Sequence, residues 1–159
     1  MRPNVSSGRT STTGGDPWFV DTNVLLYTLD KTDPSKHAIA LRWRDALWEK
    51  RAGRLSWQVL NEFYANATRR LRAPAAIARA VVEAYAQWPV SEFSLPSLQR
   101  AWHWMETAGI SYWDALILAA AERAGCRSLL SEDFQHGRKY GSVQVIDPFR
   151  TEPDGLLEI

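Results

Sequence analysis

Short apolar blocks alternate along the chain with longer segments in which apolar residues recur at helical spacing. The blocks have the length of buried strands and are predicted at residues 18–20, 55–57, 90–93, 127–130 and 143–146. The longer segments predict helices at residues 22–29, 34–51, 59–67, 74–88, 96–108 and 112–124. Strands that alternate with helices in this way are typical of an α/β domain with three layers and a mainly parallel central sheet.

The last predicted helix, residues 112–124, has clear boundaries and an unusual middle. Ser111 is a favourable residue for capping its start, and Gly125 is a favourable residue for ending it. Residues 115–121 are apolar on nearly every side of the helix. A helix of this kind must be buried, so we expect it to pack against the sheet.

Length and composition narrow the class of protein. The chain of 159 residues suits one domain, and its 45% hydrophobic and 23% charged residues exclude disordered and fibrous proteins. The longest unbroken apolar run, residues 115–121, is far shorter than the roughly 20 residues of a membrane span. Because nine of the first 16 residues are Ser, Thr or Gly, we predict a disordered leader at 1–16, a folded domain at 17–150 and a tail at 151–159.

The single cysteine, Cys126, excludes an intrachain disulfide and any zinc site built from several cysteines. A protein that uses no disulfide suits a reducing compartment. We therefore expect a cytoplasmic protein.

Charge is spread unevenly along the chain. The net charge is +1, but residues 34–79 carry a net charge of +7 and residues 80–159 a net charge of −5. A local basic stretch is consistent with an anionic partner such as RNA, and equally with a solvated helix face.

Four acidic residues stand apart because they directly follow a predicted strand or lie in a predicted apolar helix. Asp21 directly follows the first strand, Asp133 follows a later one, Asp114 lies in the first turn of the apolar helix, and Glu62 lies in another apolar helix. The carboxyl ends of parallel strands share one edge of the sheet, where ligands bind. Carboxylates gathered there raise one another's pKa unless a cation is present, which points to Mg²⁺ or Mn²⁺. Each acid alone could instead be a helix cap, an ion-pair partner or a turn residue.

The segments around these acids resemble a known family. Four segments, together with the closing residues 145–149 (VIDPF), match the PIN domain in order and spacing, and most closely its VapC-type toxin branch: residues 19–25 (FVDTNVL), 61–63 (NEF), 113–117 (WDALI) and 130–134 (LSEDF). The resemblance implies a three-layer α/β/α fold and a Mg²⁺- or Mn²⁺-dependent endoribonuclease that cleaves RNA. It also implies a cognate antitoxin as partner and a homodimer.

The same resemblance assigns roles to residues at the matching positions. Asp21, Glu62, Asp114 and Asp133 would be the catalytic, metal-binding acids, with Asn23 and Ser131 in support. Many relatives carry a further acid shortly after the fourth, where this chain has Phe134 and Gln135. Glu132 is adjacent to Asp133, but neighbours in an extended stretch point to opposite sides. A second metal ion would therefore be held weakly, or only with oxygens from RNA.

Basic and aromatic residues near the acids are candidates for binding RNA. Arg69 follows Glu62 by seven residues, almost two helical turns, so the two share a face of a continuous helix, and Arg70 and Arg72 extend the basic edge. These arginines either contact RNA phosphates or form a solvated helix end. The tryptophans at 102, 104 and 113 either stack on bases or pack in the core.

Three other functions are alternatives for this sequence. An α/β phosphotransfer or dehalogenase-like hydrolase would use Asp21 as nucleophile, but it usually needs an acid at position 23, which is Asn, and a lysine at a later strand end, whereas Lys139 is predicted in a loop. A non-catalytic RNA- or protein-binding module would have lost an acid, and none of the four is missing. An RNA-processing nuclease without an antitoxin remains open.

Overall fold

A computed structural model describes residues 15–157 of the chain. Most of the predicted leader, residues 1–14, and the last two residues of the predicted tail lie outside the described residues. Six strands are present in the described part: β1 Trp18–Val20, β2 Gly53–Ser56, β3 Val90–Ser91, β4 Ser128–Leu130, β5 Lys139–Tyr140 and β6 Val143–Ile146. Six helices accompany them: α1 Thr22–Tyr27, α2 Pro34–Glu49, α3 Trp57–Arg69, α4 Ala75–Tyr85, α5 Leu95–Ala108 and α6 Tyr112–Arg123.

The strands form one sheet in the order β3-β2-β1-β4-β6-β5. All neighbouring strands are parallel except β5, which pairs antiparallel with β6. The α/β class with a mainly parallel sheet is therefore confirmed. In addition, β1 lies between β2 and β4, so residues distant in sequence become neighbours at the sheet centre.

The strand β5 was not predicted, and Lys139 lies in it rather than in a loop. The strand has only two residues, of which Lys139 is exposed, so it carries no run of apolar residues that would signal a strand. Gly141 has a φ of +58° between β5 and β6, a backbone conformation in which glycine avoids the strain of a side chain. Lys139 therefore lies on the outer edge of the sheet.

The core lies where α6 packs against the sheet. Five residues in the middle of α6, from Ala115 to Ala119, are buried, as are all three residues of β1. The helix α6 is therefore buried on nearly all sides, as its apolar sequence predicts. Within residues 15–157, no helix is long and apolar enough to cross a membrane.

Side-chain caps set several helix boundaries. The Ser56 hydroxyl accepts a hydrogen bond from the Val59 amide, so α3 begins at Trp57, a residue predicted to lie in the strand. The Ser111 hydroxyl caps α6 by accepting from the Asp114 amide at 3.2 Å. The tail packs on the domain through Thr151, whose carbonyl accepts from the Trp43 indole, and through buried Leu157.

Candidate functional site

The four predicted acids lie in one cleft at the carboxyl edge of the sheet. Asp21 follows β1, Asp133 follows β4, Glu62 projects from α3, and Asp114 lies in the first turn of α6. All four line a cavity of about 160 Å³. The chain thus brings together acids that are separated by up to 112 positions in sequence.

Asp21 is the most deeply buried of the four, with only 5% of its surface exposed. It caps α1 by accepting a hydrogen bond from the Thr22 amide at 2.7 Å, and the Ser131 hydroxyl donates to its other carboxylate oxygen at 2.8 Å. Burial raises the pKa of Asp21 to about 7, and the negative charges of Asp133 and Glu62 add to this, while the two hydrogen bonds oppose it. Without a cation, the carboxyl is therefore largely protonated below neutral pH.

Asn23 and Ser131 connect Asp21 with Asp133. The Asn23 amide donates to Asp133 at 2.9 Å and to Asp21 at 3.2 Å. The Ser131 hydroxyl also accepts from the backbone amide of Asp133 at 3.1 Å. The two residues predicted to support the acids therefore contact both of them, in positions that fix where the carboxylates lie.

Glu62 is held by groups on both sides. The Thr22 hydroxyl donates to one of its oxygens at 2.9 Å, and the Gln58 amide donates to the other at 2.9 Å. Gln58 is itself buried, and its Oε1 has no hydrogen-bond partner among the described residues. The contributions of Thr22 and Gln58 were not predicted from the sequence.

One row of side chains on α3 lines the cleft and continues to the residue that caps the end of the helix. Gln58, Glu62, Asn66 and Arg70 are spaced four residues apart, so they follow one row on the helix surface, and all four line the cavity. Asn66 donates a hydrogen bond to the Glu62 carbonyl at 2.8 Å. This four-residue spacing is the signal in the sequence by which Gln58 and Asn66 could have been found.

Of the three predicted RNA-binding arginines, only Arg70 lines the cleft. Arg69 and Arg72 are exposed and lie outside the set of lining residues. The helix ends at Arg69, and Arg70 is its C-cap residue, so the row that begins at Gln58 reaches Arg70 rather than Arg69. Arg72 follows the helix with a φ of +54°.

Asp114 and the preceding tryptophan lie at the opposite wall of the cleft. Burial raises the pKa of Asp114, and the negative charges of Asp133 and Glu62 raise it further. Trp113 also lines the cavity and is 63% exposed. Trp104 is buried and donates its indole N–H to Glu122, whereas Trp102 is exposed on α5 away from the lining set.

Glu132 is engaged outside the acid cleft. Its carboxylate accepts from Lys36 at 2.7 Å and from the Tyr27 hydroxyl at 2.8 Å. The neighbouring Phe134, at the position where many relatives carry an acid, is buried against Tyr140. Glu132, the acid beside Asp133, is therefore bound in an ion pair with Lys36 and does not join the four acids of the cleft.

The cleft suits a hard divalent cation, although it is not a closed cage. Within residues 15–157, no three His, Cys, Asp or Glu side chains are gathered closely enough to hold a metal ion by themselves. The donors on offer are nevertheless carboxylate oxygens, and Mg²⁺ usually takes one or two carboxylates and keeps several waters. The carboxylates that line the cleft therefore fit such an ion, with water completing its coordination.

Comparison with known proteins gives a consistent family. The profile of the PIN domain family matches residues 18–141. No curated protein matches the chain significantly in sequence.

Several solved structures share the fold. The Mycobacterium tuberculosis toxin VapC20, described as cleaving the sarcin–ricin loop, is 25% identical and has a TM-score of 0.57, covering 70% of this chain and 86% of its own. A toxin–antitoxin complex from Klebsiella pneumoniae is 17% identical with a TM-score of 0.59, covering 82% and 96% of the two chains. VapBC2 from Rickettsia felis, bound to a DNA fragment from its promoter, is 15% identical with a TM-score of 0.57, covering 80% and 96%.

Proposed function

Because this chain belongs to the PIN domain family, we propose that it is a metal-dependent endoribonuclease and the toxin of a toxin–antitoxin pair. The observation that carries the proposal is the meeting of Asp21, Glu62, Asp114 and Asp133 in one cleft. The likeness to VapC20, a toxin described as cleaving the sarcin–ricin loop, supports the choice of RNA as substrate.

Asp21 and Asp114 are the first candidates for holding Mg²⁺ or Mn²⁺, with Glu62 and Asp133 completing the set. When bound, such an ion lowers the pKa of a coordinated water and neutralises charge on the phosphate. Without a cation, the pKa of both carboxyl groups is raised. A bound cation would lower these pKa values, because a positive charge favours the ionised carboxylate.

The chain's own residues orient the site. Ser131 and Asn23 fix Asp21 and Asp133, while Thr22 and Gln58 fix both oxygens of Glu62. Arg70 lies beside the acids at the end of α3, where its positive charge attracts the RNA backbone to the cleft. These residues hold the carboxylates in place before RNA arrives, so little reorganisation is needed for the reaction.

The proposed partners follow from the family and the solved complexes. Two of the structurally similar proteins are toxin–antitoxin complexes, which supports an antitoxin as the partner of this chain. We further propose a homodimer that acts in the cytoplasm.

Removal of the metal is the direct test of the proposed function. Purified protein incubated with single-stranded RNA should cleave it in Mg²⁺ or Mn²⁺ and stop completely in excess EDTA, because the carboxylates alone supply no activated water. Cleavage is measured by gel electrophoresis of the RNA. Restoring Mg²⁺ after EDTA should restore cleavage, which separates loss of metal from denaturation. Cleavage that continues unchanged in EDTA would contradict the proposal.

Charge reversal should distinguish Arg70 from Arg69. Arg70→Glu should weaken RNA affinity and reduce the slope of log affinity against log salt by about 1, because one fewer counterion is released. Arg69→Glu should have a smaller effect, since Arg69 lies outside the cleft lining. RNA binding measured at two salt concentrations compares the two variants. An equal effect of both reversals would mean that RNA follows the exposed end of α3 rather than the cleft.

A further inference from the structure

A second compartment opens beside the acid cleft. It has a volume of about 200 Å³ and shares Asn23, Leu26, Asn66, Arg70 and Asp133 with the cleft. It continues away from Asp21 and Asp114 to Tyr27, Asp30, Leu71 and Glu132, and we refer to it as the side compartment. A nucleotide whose phosphate lies at the acids would have its neighbouring base within reach of this space.

Several polar groups of the side compartment are already engaged. Glu132 is bound by Lys36 and by the Tyr27 hydroxyl, and Asp133 accepts from the Asn23 amide. These groups shape the compartment wall rather than offering free hydrogen bonds. The groups that remain for a ligand are Asp30, Asn66 and Arg70.

Asp30 presents a fixed acceptor. The amide and the hydroxyl of Thr32 both donate to its Oδ1, at 2.9 and 2.7 Å, while Oδ2 accepts no hydrogen bond within residues 15–157. These hydrogen bonds lower the pKa of Asp30, and the nearby Arg70 lowers it further. At neutral pH the side chain is therefore a carboxylate, which can accept hydrogen bonds but cannot donate them.

Asn66 and Arg70 complete the pattern. The Asn66 amide nitrogen donates to the Glu62 carbonyl, which leaves its side-chain oxygen as an acceptor. The Arg70 guanidinium donates to no side chain or backbone carbonyl within the described residues. The compartment thus offers a charged acceptor, a neutral acceptor and a cationic donor, with Leu26 and Leu71 as apolar walls.

We propose that the side compartment binds a guanine base adjacent to the phosphodiester bond that is cleaved. Guanine combines donors at N1 and N2 with acceptors at O6 and N7, so it can bind a carboxylate and an arginine at the same time. Adenine and cytosine present an amino group but no second adjacent donor, and uracil has only one donor. This inference rests on the proposed ribonuclease function and assigns its base preference.

The test measures binding separately from cleavage. The Asp114→Asn variant, in Mg²⁺, is titrated with fluorescent oligouridine RNA that carries one central guanosine, inosine or adenosine. We expect the affinity for guanosine to exceed that for adenosine by about tenfold, as for one bidentate contact of an arginine with O6 and N7 of guanine. Inosine, which lacks only the N2 amino group, should lie between them. Equal affinity for all three RNAs would overturn the inference.

Matched variants locate the preference. In the same Asp114→Asn background, Asp30→Asn and Arg70→Met should each reduce the guanosine preference to near unity. Asp45→Asn and Arg79→Met, at exposed positions outside the lining set, should retain it. A preference that survives both compartment variants would place base recognition elsewhere.

Mapping the cleavage sites of the wild-type protein distinguishes a failure of the guanine inference from a failure of the proposed ribonuclease function. Cleavage products with guanine at one fixed position beside the cut support the inference. Metal-dependent cleavage without any guanine preference would overturn it and leave the ribonuclease function standing. Absence of cleavage would overturn the proposed function, and the binding titration would still decide whether the compartment recognises guanine.

Discussion

Replacing Asp21 by Asn is expected to abolish RNA cleavage while making the folded protein more stable. The variant removes one carboxylate from the proposed metal site, and loss of several kcal/mol of transition-state stabilisation corresponds to about a 10³-fold loss in rate. The stability gain arises because Asp21 is 5% exposed and carries a pKa raised to about 7 in the folded state.

The sign of the stability change depends on pH. The ordinary pKa of an aspartate is 3.8, so between this value and about 7 the folded protein binds a proton that the unfolded chain has released. Wild-type stability therefore falls as pH rises through this window. Asn carries no charge, so its variant avoids this loss, although its amide leaves at least one of the three hydrogen-bond donors around Asp21 less well satisfied.

Thermal unfolding in EDTA measures this effect. At pH 8, Asp21→Asn should be more stable by roughly 2 kcal/mol, or about 4–8 °C in Tm, and the difference should shrink toward pH 4. Asp16→Asn, at an exposed position, is the matched control and should change neither stability nor cleavage. A variant that cleaves RNA at the wild-type rate would refute the placement of Asp21 in the metal site.

Induced expression of the wild-type chain is expected to stop the growth of a bacterial host, and Asp114→Asn is expected to remove this effect entirely. The reason is that toxicity, if it follows from RNA cleavage, requires the full set of cleft acids. Viable counts after induction, with protein levels checked by immunoblot, provide the measurement.

Two controls sharpen the growth experiment. Glu106→Gln, at an exposed position on α5, should arrest growth as the wild type does. Growth arrest by Asp114→Asn at equal expression would mean that the harm is not nucleolytic. RNA extracted from the arrested culture should show new 5′ ends that are missing from the Asp114→Asn culture.

The elements that the sequence predicts well are those with local signals. Trp18–Val20 is a continuous apolar run ended by Asp21, and Ser111 caps a helix whose middle is apolar on nearly every side. Such signals depend on neighbours a few residues away, so they survive without tertiary information. The short strand β5 has no such signal, because it is defined by its pairing with β6.

In the candidate site, too, features with a local sequence signal could be predicted and features set by tertiary packing could not. The four acids could be predicted because each stands next to a strand end or in an apolar helix, and a family resemblance links them. The sequence could not predict that Arg70 rather than Arg69 lines the cleft, because this depends on where α3 ends and on which row of the helix faces α1 and α6. The side compartment could not be predicted from the sequence either, because Asp30 lies in a loop whose position is set by tertiary packing.

The position of β1 between β2 and β4 has a consequence for the chain during its synthesis. Asp21 receives its hydrogen bond from Ser131, and its backbone amide bonds to Leu130, so both partners are made long after Asp21. A domain generally folds as a unit, after the chain that completes it has emerged from the ribosome. A nascent chain that still lacks β4 has neither Asp133 nor the hydrogen bonds that join Asp21 to Ser131 and Leu130, so the proposed site of RNA cleavage is incomplete until the end of synthesis is near.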